Sequence, residues 1–236
     1  MKYIRAFLRS LVPVLQLLGL PLLGWGIDDL RGFLSMSPRA GYAVIAAVFV
    51  FGEVYPFIKR SVGNQTSKGE ESKHVRRQHV LVILLLLFWG AILFFLPLSD
   101  RRSIGVMIVS QEIRWPGLVL FGLGLATISR ARVTLGRMYS LEVTIQKSHQ
   151  LITTDLYRYI RHPIYSGVII QALGFSLVFR SWIGLAAMIP VVAFFLLRIK
   201  DEEAVLQSEF GSEWEAYCER CGVLYLIYTD APTTHE

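Results

Sequence analysis

Two short polar stretches stand hard against long apolar runs, and their residue types define the chemistry open to this chain. The first is YRYIRHPIYSG, residues 157–167, in which Arg158, Arg161 and His162 precede Pro163. Proline disfavours helical backbone at the residue before it and suits the first turn of a helix, so the chain should bend at His162 and a helix should begin at Pro163. The free amides of that first turn, with the helix dipole, make a positive end, and Arg161 adds a full charge beside it. Such an end suits a carboxylate or a phosphate. The plainer alternative is that Arg158 and Arg161 only reach out to lipid headgroups while His162 caps the helix.

The second stretch is LLRIKDEEAVLQSEFGSEWEAYCER, in which Arg198 and Glu202 stand four apart and share one helical face. Taken alone this is a surface ion pair worth about 0.3–0.5 kcal/mol. The apolar hairpin joining the two stretches is short, however, and its two ends lie on one side of the membrane. That brings His162 and Glu202 within reach of each other. A positive helix start, a carboxylate and an arginine walled by apolar helices would suit a zwitterionic cofactor and an amphiphilic substrate.

Other motifs point away from chemistry. Cys218 and Cys221 form C-x-x-C, but a structural zinc needs four ligands and no second pair exists, so they read as reduced thiols on a helix with no metal. GLGLAT at 122–127 lies inside an apolar run with no strand before it; close helix packing explains it better than a phosphate-cradling loop.

The elements that must position these residues are membrane helices. Of the 236 residues 53% are hydrophobic and 18% charged, against about 25% charged in a soluble domain. A spanning helix needs roughly 20 mainly apolar residues. Six segments qualify or nearly do: Leu11 to Ile27, Ala40 to Ile58, Val80 to Leu98, Trp115 to Ile128, Ile164 to Phe179 and Trp182 to Leu197. The last two, parted only by Arg180 and Ser181, form a tight hairpin of arms short for independent spans. The expected fold is therefore an all-α, polytopic helical membrane protein. Lys2, Arg5 and Arg9 ahead of the first run imitate a signal peptide, but no small-residue cleavage site follows, and the run reads as a retained span.

Most of the 24 lysines and arginines fall at the N-terminus, between Lys59 and Arg77, between Arg130 and Arg161, and at Arg198, Lys200 and Arg220. The positive-inside bias then gives an N-in, C-in topology with both polar stretches in the cytoplasm. Arg31, Arg39, Arg101, Arg102, Arg114 and Arg180 are left on the far side. The net charge of +6 gathers on one membrane face, where anionic lipid attracts it, and nucleic acid need not be invoked. Residues 61–78 (SVGNQTSKGEESKHVRRQ) read as a polar surface connection.

RHPIYSG, an apolar hairpin, R-x-x-x-E-E, an FG pair and WEAY, in that order, resemble the isoprenylcysteine carboxyl methyltransferase family and its phospholipid methyltransferase relatives over roughly residues 130 to 220. The resemblance implies a multi-pass membrane enzyme holding S-adenosylmethionine in a cytoplasm-facing pocket while a lipidic acceptor enters from the bilayer. It implies a catalytic part over 130–236; the transmembrane helices over 1–129 carry no family signal and rest on their apolar runs alone. His149, Gln150, Leu151 and Ile152 match the segment that lines the cofactor, Tyr157 the tyrosine of a G-x-Y motif, and His162, Pro163, Ile164 and Tyr165 the family's HP-x-Y. With them go Arg161, beside the positive helix start, and Glu202, matching the cofactor-binding glutamate. Arg198 matches the substrate arginine; Glu203, Tyr217 and Arg220 also fit the pattern, Glu203 and Arg220 on the catalytic side. A further family glutamine corresponds to Glu142 or Gln146. The chain departs from the family at Asp155, where glycine is usual, and after Arg220, where a proline is missing.

The implied reaction is an in-line displacement on a sulfonium methyl. A carboxylate acceptor, such as that of a prenylated cysteine or a similar amphiphile, needs no general base, whereas a lipid amine would need one such as Glu203. N-methylation of a phospholipid amine, a sterol-reductase-like enzyme using a nicotinamide cofactor, and a non-enzymatic scaffold or transporter are the alternatives. Oligomeric state is not legible.

Overall fold

A computed structural model of the chain describes residues 12–54, 73–108, 111–136 and 151–224. The chain order is α1 (Val12–Trp25), α2 (Leu30–Ser35), α3 (Ser37–Phe49), α4 (Lys73–Arg102), α5 (Arg114–Leu135), α6 (Pro163–Val178), α7 (Trp182–Phe210) and α8 (Ser212–Cys218). The described residues contain no strand, only the isolated bridges Val106 to Ser181 and Ile160 to Gly222. The all-α expectation holds, and the described part of each expected apolar segment falls mainly on a helix.

Several boundaries move. The second segment does not start at Ala40 but belongs to a bent pair, Ile27–Ser35 and Ser37–Gly52, that turns through 108°. Met36 is extended there, at φ −95 and ψ 115, and Pro38 fits the first turn of the helix beyond it. Helix α7 does not stop at Leu197 but runs on through the charged stretch to Phe210, 29 residues in all. Glutamate, lysine and alanine propagate a helix well, and the first break comes at Gly211, at φ 50. The second arm of the hairpin is thus long enough to cross a bilayer by itself, while α6, at 16 residues, is short. Three described helices, Ile83–Arg102, Gln111–Leu135 and Trp182–Phe210, have the length and apolar character of spans, and the bent pair makes a fourth if counted as one. Of the expected polar connection at 61–78, residues 61–72 lie outside the described residues, and Lys73 to Gln78 already belong to α4.

The residues divide into two compact units. The first runs to Gly122 and includes Ala172–Met188. Its core is aromatic: the Tyr42 ring centroid lies 4.8 Å from Phe121 and 5.3 Å from Phe175, and the Tyr42 hydroxyl donates to the Leu17 carbonyl at 2.5 Å. Four of the arginines assigned to far-side loops are tied down here. Asp100, its side chain 1% exposed, accepts from Arg114 at 2.8 and 2.9 Å, from Arg180 at 3.2 Å and from Arg39 at 3.4 Å. Arg39 also lies 4.0 Å over the Trp25 ring and donates to the Gly32 carbonyl at 2.7 Å, and Arg101 pairs with Asp28. Carbonyls at helix ends, including that of Val178 facing Arg114, offset the excess positive charge.

The second unit comprises Leu123–Gln171 and Ile189 onward. Here α5 meets α6 with no room for a side chain: a Cβ on Gly124 would lie 2.6 Å from the Gly167 carbonyl oxygen, and one on Gly167 would lie 2.9 Å from that of Gly124. The glycine motif at 122–127 is a packing device, as expected. A matching approach occurs seven residues along each helix, inside the first unit, where a Cβ on Gly174 would lie 2.7 Å from the Gly117 carbonyl oxygen.

Candidate active site

The site is built at the start of α6. The chain bends at His162 and α6 begins at Pro163, as the proline requires. Ahead of the bend, Asp155 takes the left-handed conformation, φ 58, that a glycine would otherwise fill, and opens a 3₁₀ turn through Arg158. Its carboxylate accepts from Thr134 at 2.8 Å and pairs with Arg130, both on α5; these partners, Thr134 foremost, hold it below the usual carboxylate range. The substitution for glycine therefore brings a side-chain anchor to α5 along with the turn.

From α6 and α7 the charged groups converge. Tyr165 donates its hydroxyl hydrogen to Glu202 Oε1 at 2.5 Å, and the same oxygen of Tyr165 accepts from Arg198 Nε at 2.8 Å. Arg198 Nε also lies 3.2 Å from Glu202 Oε1. His162 faces both carboxylates, with Nε2 3.1 Å from Glu203 Oε1 and Nδ1 3.6 Å from Glu202 Oε2. The His162 ring stacks on Tyr165, which stacks in turn on Phe195 at 4.8 Å. Glu202 and Glu203 keep 22% and 25% of their side chains exposed, so the carboxylates stay within reach of a ligand.

Arg161 does something its place in the sequence did not announce. Its side chain is buried and donates to Glu203 at 2.9 Å and to the carbonyls of Cys221 at 2.9 Å and Cys218 at 3.2 Å. The backbone follows the same course: Arg161 N donates to Gly222 O at 2.8 Å, His162 N to Val223 O at 3.2 Å, and Gly222 N to Tyr159 O at 3.1 Å. The residues after α8 thus lie alongside residues 159–162. Tyr217 seals the contact by donating to the Tyr157 carbonyl at 2.6 Å. Burial pushes the Tyr217 hydroxyl and the Cys218 and Cys221 thiols above their ordinary pKa values. Both cysteines are free, and Cys221 directs its thiol at the Arg158 carbonyl, 3.1 Å away.

Of the residues singled out from sequence, Arg161, His162, Tyr165, Arg198, Glu202 and Glu203 meet in this cluster. Pro163 and Ile164 form the helix start that carries it. Tyr157 is buried beside it, and Leu151 packs against Trp214, Tyr217 and Cys221. Ile152 is half-buried in the segment leading in. Arg220 is not brought in: it is exposed, with Nε donating to the Ala216 carbonyl one turn back. His149, Gln150, Glu142 and Gln146 lie outside the described residues. The contribution of the 221–224 backbone was missed, because hydrogen bonding through carbonyls and amides leaves no residue-type signal. Among the described residues no group of histidine, cysteine and carboxylate side chains is arranged for a metal ion.

An all-helical chain with several spanning helices and a charged cluster where the two arms of an apolar hairpin meet is a polytopic integral membrane protein. Its likeness to known proteins is specific. Residues 117–208 match the model of the isoprenylcysteine carboxyl methyltransferase family. A probable protein-S-isoprenylcysteine O-methyltransferase of Oryza sativa subsp. indica is 34% identical over 111 residues, 46% of this chain and 58% of that one. The protein-S-isoprenylcysteine O-methyltransferase of Schizosaccharomyces pombe is 38% identical over 127 residues, 52% of this chain and 48% of that one. The chain spans about half the length of these relatives. Over a wider range, the solved structure of a eukaryotic intramembrane Ras methyltransferase, isoprenylcysteine carboxyl methyltransferase, superposes with a TM-score of 0.50 at 17% identity, covering 94% of this chain and 98% of that one, which establishes a shared fold.

Proposed function

We propose that this protein is an S-adenosylmethionine-dependent methyltransferase that esterifies the carboxylate of a prenylated cysteine or a similar amphiphile. The observation that carries the reading is the Tyr165 hydroxyl set between Glu202 at 2.5 Å and Arg198 at 2.8 Å, on the segment that matches the family. The alternatives of a lipid amine acceptor or a nicotinamide cofactor are not favoured by the relatives described above, which carry the name protein-S-isoprenylcysteine O-methyltransferase.

The residues fit the methyl donor. Glu202 is partly exposed and has one oxygen engaged by Tyr165 and Arg198, leaving the other, 3.6 Å from His162, for a cationic amino group. When bound, S-adenosylmethionine supplies an electrophilic methyl group on a sulfonium. The chain's own residues orient and desolvate. Glu202, with His162 and the Tyr165 ring, forms one wall for the cofactor, completed by Tyr157, Leu151 and Ile152. Arg198 presents its guanidinium to the acceptor carboxylate and holds it by charge-assisted hydrogen bonds. That acceptor is already ionised at neutral pH, so no residue need remove a proton, and position with exclusion of water supplies the acceleration. Glu203 keeps His162 and Arg161 in place rather than serving as a base. The positive-inside pattern supports an N-in, C-in arrangement with this site facing the cytoplasm and the acceptor arriving from the bilayer.

Titration of the detergent-solubilised protein with S-adenosylhomocysteine tests the cofactor assignment. Saturable binding that is lost in Glu202→Ala and His162→Ala is expected; binding unchanged in both variants overturns it. Transfer of labelled methyl to a prenylcysteine analogue, run beside a total lipid extract, tests the acceptor, and labelling confined to the lipid extract would reject the carboxylate.

A further inference from the structure

A second ligand position lies in the first unit, on the exposed side of α4. An open groove of about 350 Å³ runs between α4 and the start of α7, walled by Phe88, Phe95, Leu98, Ile183 and Ala187. At one end it reaches Ser99. This serine is 6% exposed, and its hydroxyl has no hydrogen-bond partner among the described residues. A hydroxyl left unpaired in apolar surroundings is costly, and no water is at hand in hydrocarbon to relieve it. The groove is apolar along its length and carries one unsatisfied hydrogen-bond donor at its end.

The α4 stripe that lines the groove continues past it with a charge. Phe88, Phe95 and Leu98 recur at the spacing of one helical face, and Arg102 lies four residues beyond Leu98 and three beyond Ser99, on that same face. Arg102 is exposed at the last turn of α4. From Phe88 to Arg102 the helix rises about 21 Å, enough for an acyl chain followed by a glycerol ester and a phosphate. The groove is cut into the face of a helix with the length and apolar character of a membrane span, the setting in which bilayer lipid is the available ligand.

We propose that this groove binds one anionic glycerophospholipid, with an acyl chain along Phe88 to Ala187, its ester carbonyl accepting from the Ser99 hydroxyl and its phosphate beside Arg102. Complementary charge selects the occupant: Arg102, exposed beside an Arg101 already paired with Asp28, favours a net-negative headgroup over a zwitterionic one.

Native mass spectrometry of the full chain in detergent, with phosphatidylglycerol and phosphatidylcholine added in equal amounts, tests this. One phosphatidylglycerol should be retained in preference to phosphatidylcholine by about fivefold, and Arg102→Gln should abolish that preference. Ala187→Trp, which fills the groove, should remove both lipids, and Ser99→Ala should weaken retention. Equal retention of the two lipids, or the same retention in Arg102→Gln and Ala187→Trp as in the parent, overturns the proposal. Displacement of the lipid by a prenylcysteine analogue also overturns it, since the groove would then hold the acceptor's tail. Arg102→Gln alters an exposed side chain and does not depend on refolding a core. Methyl transfer measured in the same preparations is expected to be unchanged by it, so this proposal and the methyltransferase reading fail separately.

Discussion

Tyr165 links an acid and a base through one oxygen, donating to Glu202 while accepting from Arg198. Tyr165→Phe keeps the ring stack on His162 and Phe195 but removes both bonds. Affinity for S-adenosylhomocysteine is expected to fall about tenfold, or about 1.4 kcal/mol, by isothermal titration. Arg198→Lys keeps the charge but loses the planar fork that matches a carboxylate. It should raise KM for the prenylcysteine acceptor about tenfold, with a smaller change in cofactor affinity; the reverse pattern would exchange the roles assigned to Arg198 and Glu202. The two thiols offer a pH test. Burial raises their pKa values in the folded protein, so whatever stability comes from keeping them protonated is present at neutral pH and is lost as pH rises through those raised values. Iodoacetamide at neutral pH should therefore label Cys218 and Cys221 far more slowly than a free thiol, with labelling rising on unfolding or in alkali. Fast labelling of the native protein would contradict the buried setting of the segment after α8.

At the level of elements, the glycines of α5 and α6 do what the charged residues cannot, bringing two backbones into direct contact. Gly124→Leu would drive a side chain into Gln171 and Gly167, and a loss of about 1–3 kcal/mol in thermal unfolding is expected, with no change in charge. Much of this level was legible in the sequence. Pro163 announced the start of α6, GLGLAT announced tight packing, and the tolerance of Asp155 for a left-handed turn followed from its residue type. Other features were not. The full reach of helix α7 to Phe210 was not, because apolar character falls away after Leu197 although helix propensity does not. Glu202 and Glu203 are neighbours in sequence yet divide the work, one meeting Tyr165 and Arg198 and the other Arg161. Successive residues on a helix point about 100° apart, and only the placement of α6 decides which partner each one finds. The 108° bend after Ser35 was hidden because Met36 carries no breaker signal and Pro38 reads equally well as a simple helix start.

At the scale of the whole molecule, four of the six arginines that the positive-inside count left on the far side are structural rather than stray. Arg39, Arg114 and Arg180, from α3, α5 and the turn between α6 and α7, converge on Asp100 at the end of α4. Asp100→Asn would leave three guanidiniums facing each other with no carboxylate between them. It should cost about 3–5 kcal/mol in thermal unfolding. A milder loss would mean that helix-end carbonyls already neutralise the cluster. These four partners leave the ribosome in a fixed order, Arg39 first and Arg180 last. A nascent chain halted before its final hairpin holds an acid with part of its escort missing, in surroundings hostile to charge. Arrival of the hairpin supplies Arg180 and completes the set around that acid.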